Sequence, residues 1–146
     1  MPAATQILNM TGAPSDDKMM ANFVMAKTKQ TAASLDTALV YYKEVIASGK
    51  SEFSAEAKYR QAQILFLQNQ LEAAEKSAFE QIKGWGSYEY WVTKTYLLLG
   101  DIYGKQKDYF NAEATFQSIV ANATFDDLKK EAQEKLVLII AEKAKK

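Results

Sequence analysis

Tyr96-Leu97-Leu98-Leu99-Gly100-Asp101-Ile102-Tyr103, followed after a short turn by Asp108-Tyr109-Phe110-Asn111-Ala112-Glu113-Ala114-Thr115-Phe116, is the stretch that decides the fold. Leu98, Leu99, Ile102 and Tyr103 recur at three and four residues, the spacing of one helix face. Lys107-Asp108 turns the chain, and Phe110, Ala112, Phe116, Ile119 and Val120 repeat that spacing on a second helix. Gly100 and Ala112 put a small residue on each helix of the pair, which lets the two axes approach closely. Phe116, one turn beyond Ala112, is then free to fill the space against a following pair.

Fainter copies of this arrangement lie to the N-terminal side. Ala38, Ala74 and Ala112 follow one another at intervals of 36 and 38 residues. The residue four further on is Tyr42, Ala78 or Phe116, and the residue three before is Leu35, Leu71 or Tyr109. The small residue of the preceding helix is Ala26, Ala62 or Gly100. The third copy is the strongest and the first the weakest, since Lys29 stands where Leu65 and Tyr103 stand in the others.

The rest of the chain is helical in pattern from Ser15 onward. Ser15-Asp16-Asp17 suits a helix N-terminus, with carboxylates at the positive end of the dipole. Met20, Phe23, Val24 and Lys27 mark a face running to about Ala32, and Ser34 can cap a second helix that Gly49 stops. Ser54 begins a third, Asn69 breaks it, and Gly84-Trp85-Gly86 ends a fourth. Ser87 caps a fifth, and Phe125-Asp126-Asp127 opens a seventh that runs to the Lys-rich end. No segment reads as a strand. The chain is expected to be all-α, with a loosely ordered arm over 1–15 and one domain over 16–146. Its hairpins are expected at about 16–49, 53–84 and 87–122, before a C-terminal capping or half-repeat helix over 126–145.

Leu99, Gly100, Tyr103, Tyr109, Ala112 and Phe116 resemble the tetratricopeptide-repeat (TPR) signature, whose period is about 34 residues. The resemblance covers about residues 19 to 124. It implies a right-handed α-α superhelix, a TPR-like solenoid of about three helical hairpins plus a C-terminal helix. The Tyr90-Trp91-Val92-Thr93-Lys94 approach to the third copy is similar in texture to bacterial multi-repeat TPR proteins. The family mostly binds other proteins, in a concave groove lined by the first helix of each repeat. By position that groove would comprise Met20, Phe23 and Lys27, then Glu56, Tyr59, Gln63, Phe66 and Leu67, then Lys94, Leu97, Asp101 and Lys105. The competing reading makes Phe66 and Leu97 core and the charges solvated. The family's carboxylate-clamp variety needs Lys, Asn and Arg at places held here by Tyr59 and Leu97, and by Lys27, Gln63 and Asp101, which disfavours a C-terminal-carboxylate receptor.

Composition narrows the chemistry. The chain has 146 residues, 48% of them apolar and 12% aromatic, enough for a packed core. Eighteen basic side chains balance eighteen acidic ones, so no charge footprint points at nucleic acid. Arg60 is the only arginine, which disfavours bidentate phosphate recognition. Without cysteine or histidine there are no thiolate nucleophiles, disulfides, Cys/His zinc sites or Ser-His-Asp triads. No cofactor and no metal are expected. No run reaches the ~18 apolar residues of a membrane span. The N-terminus lacks the basic start and apolar run of a secretory signal, which leaves cytoplasm and bacterial periplasm both open.

Two further features carry weight. Trp85, Tyr88, Tyr90 and Trp91 crowd one loop, as an inter-repeat plug or as a binding hot spot. Leu136-Val137-Leu138-Ile139-Ile140 sweeps about 400° around a helix, so these side chains cannot all face one neighbour. That helix is covered by another chain, or is half of a further repeat, or is buried sideways with a residue or two exposed. Leu136, Leu138, Ile139 and Ile140 are the candidates for self-association into a homodimer.

Other motifs dissolve on inspection. Ser48-Gly49-Lys50-Ser51 imitates the end of a phosphate-binding loop, but Glu44 stands where its first glycine belongs. Asn9-Met10-Thr11 and Asn122-Ala123-Thr124 are glycosylation triplets of the kind that arise by chance. Asp16, Asp17, Asp126, Asp127, Glu72 and Glu75 read as caps or solvated faces. The five methionines all lie at or before Met25 and read as start, tail and core. The expectation is a non-enzymatic scaffold that binds a peptide or helical partner in the groove. The alternative is a self-associating or spacer segment of a longer array.

Overall fold

The computed structural model of the chain describes residues 15–31 and 35–145, with side chains placed at 20–28 and 35–145. Residues 1–14 of the arm expected over 1–15, the Ser34 cap, and the side chains of Ser15, Asp16, Asp17 and Lys29 lie outside these described residues, while Ser15 itself belongs to the first helix. Seven helices and no strand make up the described chain: α1 (Ser15–Thr31), α2 (Leu35–Ala47), α3 (Glu52–Leu67), α4 (Leu71–Gly84), α5 (Glu89–Lys105), α6 (Tyr109–Asn122) and α7 (Asp126–Ala144).

Local chemistry sets the boundaries. Ser51 caps α3 in a reciprocal box: its Oγ accepts from the Ser54 amide at 3.1 Å, and the Ser51 amide donates to Ser54 Oγ at 2.7 Å. Ser54 is thus the third residue of the first turn and not the helix start. Similarly α5 begins at Glu89 after an N-cap at Tyr88 that makes no side-chain cap bond, so Ser87 is not the cap.

The turns after α3 and α5 are built alike. Asn69 and Lys107 take left-handed φ of 61° and 63°. The Asn69 and Gln70 amides donate back to the Phe66 and Leu65 carbonyls, and those of Lys107 and Asp108 to Gly104 and Tyr103. Two Schellman caps of identical pattern therefore reverse the chain at equivalent places.

Every helix packs on the next in sequence, and α1 packs on α3, α3 on α5 and α5 on α7. Among the described residues no other pair of helices brings its backbones as close, so α2, α4 and α6 stand apart from one another. The core is correspondingly a row of three main clusters, beside a small one of Ala21 and Met25 with Tyr41 between α1 and α2. Phe23, Ala26, Ala38, Tyr42, Val45, Ala57 and Ile64 join α1, α2 and α3. Tyr59, Ala62, Ala74, Ala78, Leu98, Leu99 and Ile102 join α3, α4 and α5. Leu97, Ala112, Phe116, Ile119, Leu128 and Ala132 join α5, α6 and α7. The periodic alanines Ala38, Ala74 and Ala112 are all fully buried, one in each main cluster. The face of α1 differs from expectation: Ala21, Phe23, Met25 and Ala26 are buried, whereas Met20 and Val24 are exposed.

α5 carries the closest approaches. A Cβ built on Gly100 would lie 2.6 Å from Phe116 Cζ, and one on Gly104 would lie 3.0 Å from Ile139 Cδ1. The two glycines, one turn apart, admit an α6 ring and an α7 side chain against the α5 backbone.

Candidate functional site: the face of the odd-numbered helices

Because α1, α3, α5 and α7 pack in series, their side chains away from the even-numbered helices form one surface. On α3 that surface carries Glu56, Arg60, Gln63 and Leu67, spaced by three and four. Glu56 Oε2 accepts from Lys27 Nζ on α1 and from Arg60 Nε, both at 3.2 Å, and Arg60 Nη1 donates to Gln63 Oε1. With its side chain only 11% exposed, Glu56 binds α1 to α3 through this triad.

Further along, Lys135 of α7 donates to both Asp101 oxygens, at 2.8 and 3.0 Å, and lies 3.8 Å from Glu131. Burial nevertheless raises the Asp101 carboxyl above its ordinary range, against the pull of Lys135. A cavity of about 510 Å3 opens beside this pair, lined by Phe66, Asp101, Lys105, Lys135, Leu138 and Glu142 among others. Gly100 and Gly104 help line it, so the space exists partly because α5 lacks side chains there.

Several expected groove residues are not on this surface. Leu97 is 2% exposed and packs with Phe116 and Leu128, because α6 and α7 cover that side of α5. Phe23 is buried edge-on between Tyr42 and Phe53. Tyr59 is 6% exposed, its ring 5.8 Å from Trp91, with Arg60 and Lys94 over it at 5.3 and 5.6 Å. These three are core. Lys27, Leu67 and Lys105 are exposed, and Gln63, Phe66, Lys94 and Asp101 are half-buried. Position-by-position transfer overlooked Arg60, Lys135 and Glu142, which the ion pairs and the cavity bring in.

The burial of Tyr59 has a measurable consequence. Desolvation pushes its phenol up to about 12, with the Arg60 charge opposing. An unfolded tyrosine titrates near 10. Between those values the folded state holds a proton that the unfolded state has lost, so the stabilisation is complete below about pH 10 and disappears as pH rises through about 12. Urea unfolding of wild type and Tyr59→Phe should show the wild type losing about 2–3 kcal/mol more than the variant between about pH 9 and pH 12. Equal losses would place the Tyr59 hydroxyl in solvent.

The aromatic loop is divided among neighbours. Trp85 Nε1 donates to Ser54 Oγ at 3.2 Å, Trp91 meets Tyr59, and Tyr90 packs edge-on against Phe125 while its hydroxyl donates to Asp127 Oδ2 at 2.9 Å. Each of these three rings ties one helix to another, as the plug reading expects.

On α7 the apolar run splits. Leu136 and Ile139 pack half-buried against the third cluster, which leaves them less open than the rest of the run. Leu138 and Ile140 are exposed at 66% and 45%, and Val137, absent from the expected set, is the most exposed at 67%. Among the described residues no helix is long and apolar enough to cross a membrane.

Comparison with known protein families, with curated proteins and with solved structures finds no match to this chain. Its fold and candidate site define an all-α protein of consecutively packed helices.

Proposed function

We propose that the helices stack as TPR-like hairpins in a right-handed superhelix. In this reading the protein is a non-enzymatic interaction scaffold whose odd-helix face binds a peptide or helical partner. The observation that supports it most is the unbroken α1–α3–α5–α7 packing series with separated even helices. That asymmetry gives a helical array one continuous inner face. The face offers apolar anchors at Phe66, Leu67 and Leu138 between charged groups, a mixture suited to helix or extended-peptide recognition. The sequence lacks cysteine and histidine, which removes the commonest nucleophile–base pairs.

Peptides selected from a displayed random library against the whole chain provide the probe. Their affinity should fall at least about tenfold, or 1.4 kcal/mol, in Leu67→Asp and again in Lys105→Glu. Both positions are exposed, so the variants should fold normally. Unchanged affinity in both would remove the odd-helix face as the site.

A second reading rests on the outer side of α7, where Val137 and Ile140 are exposed. Such a patch suits self-association or contact with a further repeat. Light scattering coupled to gel filtration should give a dimer for wild type and a monomer for Val137→Glu. A wild-type monomer at all accessible concentrations would eliminate the dimer.

A further inference from the structure

A second cavity, also of about 510 Å3, lies on the opposite side of the molecule, in the gap between α4 and α6. Since the backbones of those helices stand apart, α5 forms its floor. One wall is a line along α6, Asn111, Thr115, Ser118 and Asn122, at spacings of four, three and four. These span about 16 Å at 1.5 Å per residue, so the site is a trough. The floor and far wall supply the Tyr96 and Phe79 rings, 39% and 45% exposed.

The lining has two chemical peculiarities. None of its residues is charged, in a chain where 25% of residues are. Four of its polar protons are also engaged within the chain. Thr93 Oγ1 donates to the Glu89 carbonyl at 2.9 Å and Thr115 Oγ1 to that of Asn111 at 2.7 Å. Asn122 Nδ2 donates to the Ser118 carbonyl at 3.0 Å, and Asn111 Nδ2 to Asp108 Oδ2 at 2.7 Å. What these four side chains present to a ligand is therefore four acceptor oxygens and one remaining amide proton on each asparagine. A charged ligand would lose its hydration without an opposite charge to replace it.

An occupant that matches is elongated and uncharged, rich in hydroxyls that both donate and accept, and carries apolar C–H faces for the two rings. We propose that the α4–α6 trough binds a short neutral saccharide. Its sugar faces stack on Tyr96 and Phe79, and its hydroxyls donate to Thr93, Thr115, Asn111 and Asn122. This site is independent of the odd-helix face and of whatever binds there.

The test is a titration of the whole chain with cellotriose, maltotriose and chitotriose, followed by amide chemical shifts. At least one should bind saturably with a Kd of about 1 mM or tighter, with the largest shifts at Thr93, Tyr96, Thr115 and Asn122. Tyr96→Ala should weaken it at least about tenfold, and Thr115→Val, which keeps the shape and removes the oxygen, several-fold. The Thr115→Val spectrum reports folding independently, so loss there is not confused with unfolding. No saturable binding by any of the three would overturn the proposal. So would equal binding of cyclohexanol, which marks an indiscriminate apolar cleft, or binding indifferent to Tyr96→Ala.

Discussion

Replacing Gly100 with alanine is expected to lower the unfolding free energy by about 1–3 kcal/mol, measured by urea denaturation. On helix propensity alone the same change would add about 1 kcal/mol, since glycine is the poorest ordinary residue inside a helix. The sign of the effect therefore separates the two influences. Packing should win because the new methyl would lie 2.6 Å from Phe116 Cζ and 3.0 Å from Cδ1, and Phe116 is 2% exposed, held among Leu97, Ala112 and Leu128. Phe116→Leu removes the opposing ring edge at its own cavity cost. The double variant should then be less destabilised than the sum of the singles, with a coupling of about 1 kcal/mol. A stabilised Gly100→Ala, or strict additivity, would mean that α5 and α6 do not approach as closely as described.

The second large effect runs the other way. Gln81 is fully buried on α4, and neither its Nε2 nor its Oε1 has a hydrogen-bond partner; Ser77 Oγ, one turn earlier, is in the same condition. Burying an unsatisfied amide costs about 1–3 kcal/mol. Gln81→Met keeps the length of the side chain and removes both polar groups, so stability should rise by about that amount. Ser77→Ala should help less, with only one hydroxyl relieved. A destabilised Gln81→Met would show that the amide is satisfied, most simply by an internal water bridging it to Ser77.

Helix content was legible because the apolar spacing of three and four persists along the chain, and the turn residues Gly49, Asn69 and Lys107 fall where helices end. The buried small residues were legible too, since Ala38, Ala74 and Ala112 share one register. What escaped was which sides of each helix are covered. Leu97, Leu98 and Leu99 span about 200° of arc and are all buried, because α5 is flanked by α3 and α4 on one side and by α6 and α7 on the other. A helix read as having one open face cannot reveal that, and Leu97 was misplaced for this reason.

The terminal helix gives the converse case. Its run of five apolar residues is similar in character, yet the described neighbours cover only the side of Leu136 and Ile139. Ser54 was read as the start of α3 and Ser87 as the cap of α5, whereas Ser51 caps α3 through its side chain and Tyr88 holds the N-cap position of α5 without a side-chain bond. The α4–α6 trough was not legible at all as a site, for it depends on a gap between helices that are not consecutive. Its one sequence signal is the uncharged line Asn111, Thr115, Ser118 and Asn122 on the otherwise mixed surface of α6.

The central claim is that partners are received along the odd-numbered helices. Amide hydrogen exchange of the whole chain, with and without a saturating library-selected peptide, addresses it directly. The account predicts slowed exchange concentrated in α3, α5 and α7, strongest toward the C-terminal turns that carry Leu67, Lys105 and Leu138. Slowing confined to α2, α4 and α6 would contradict it.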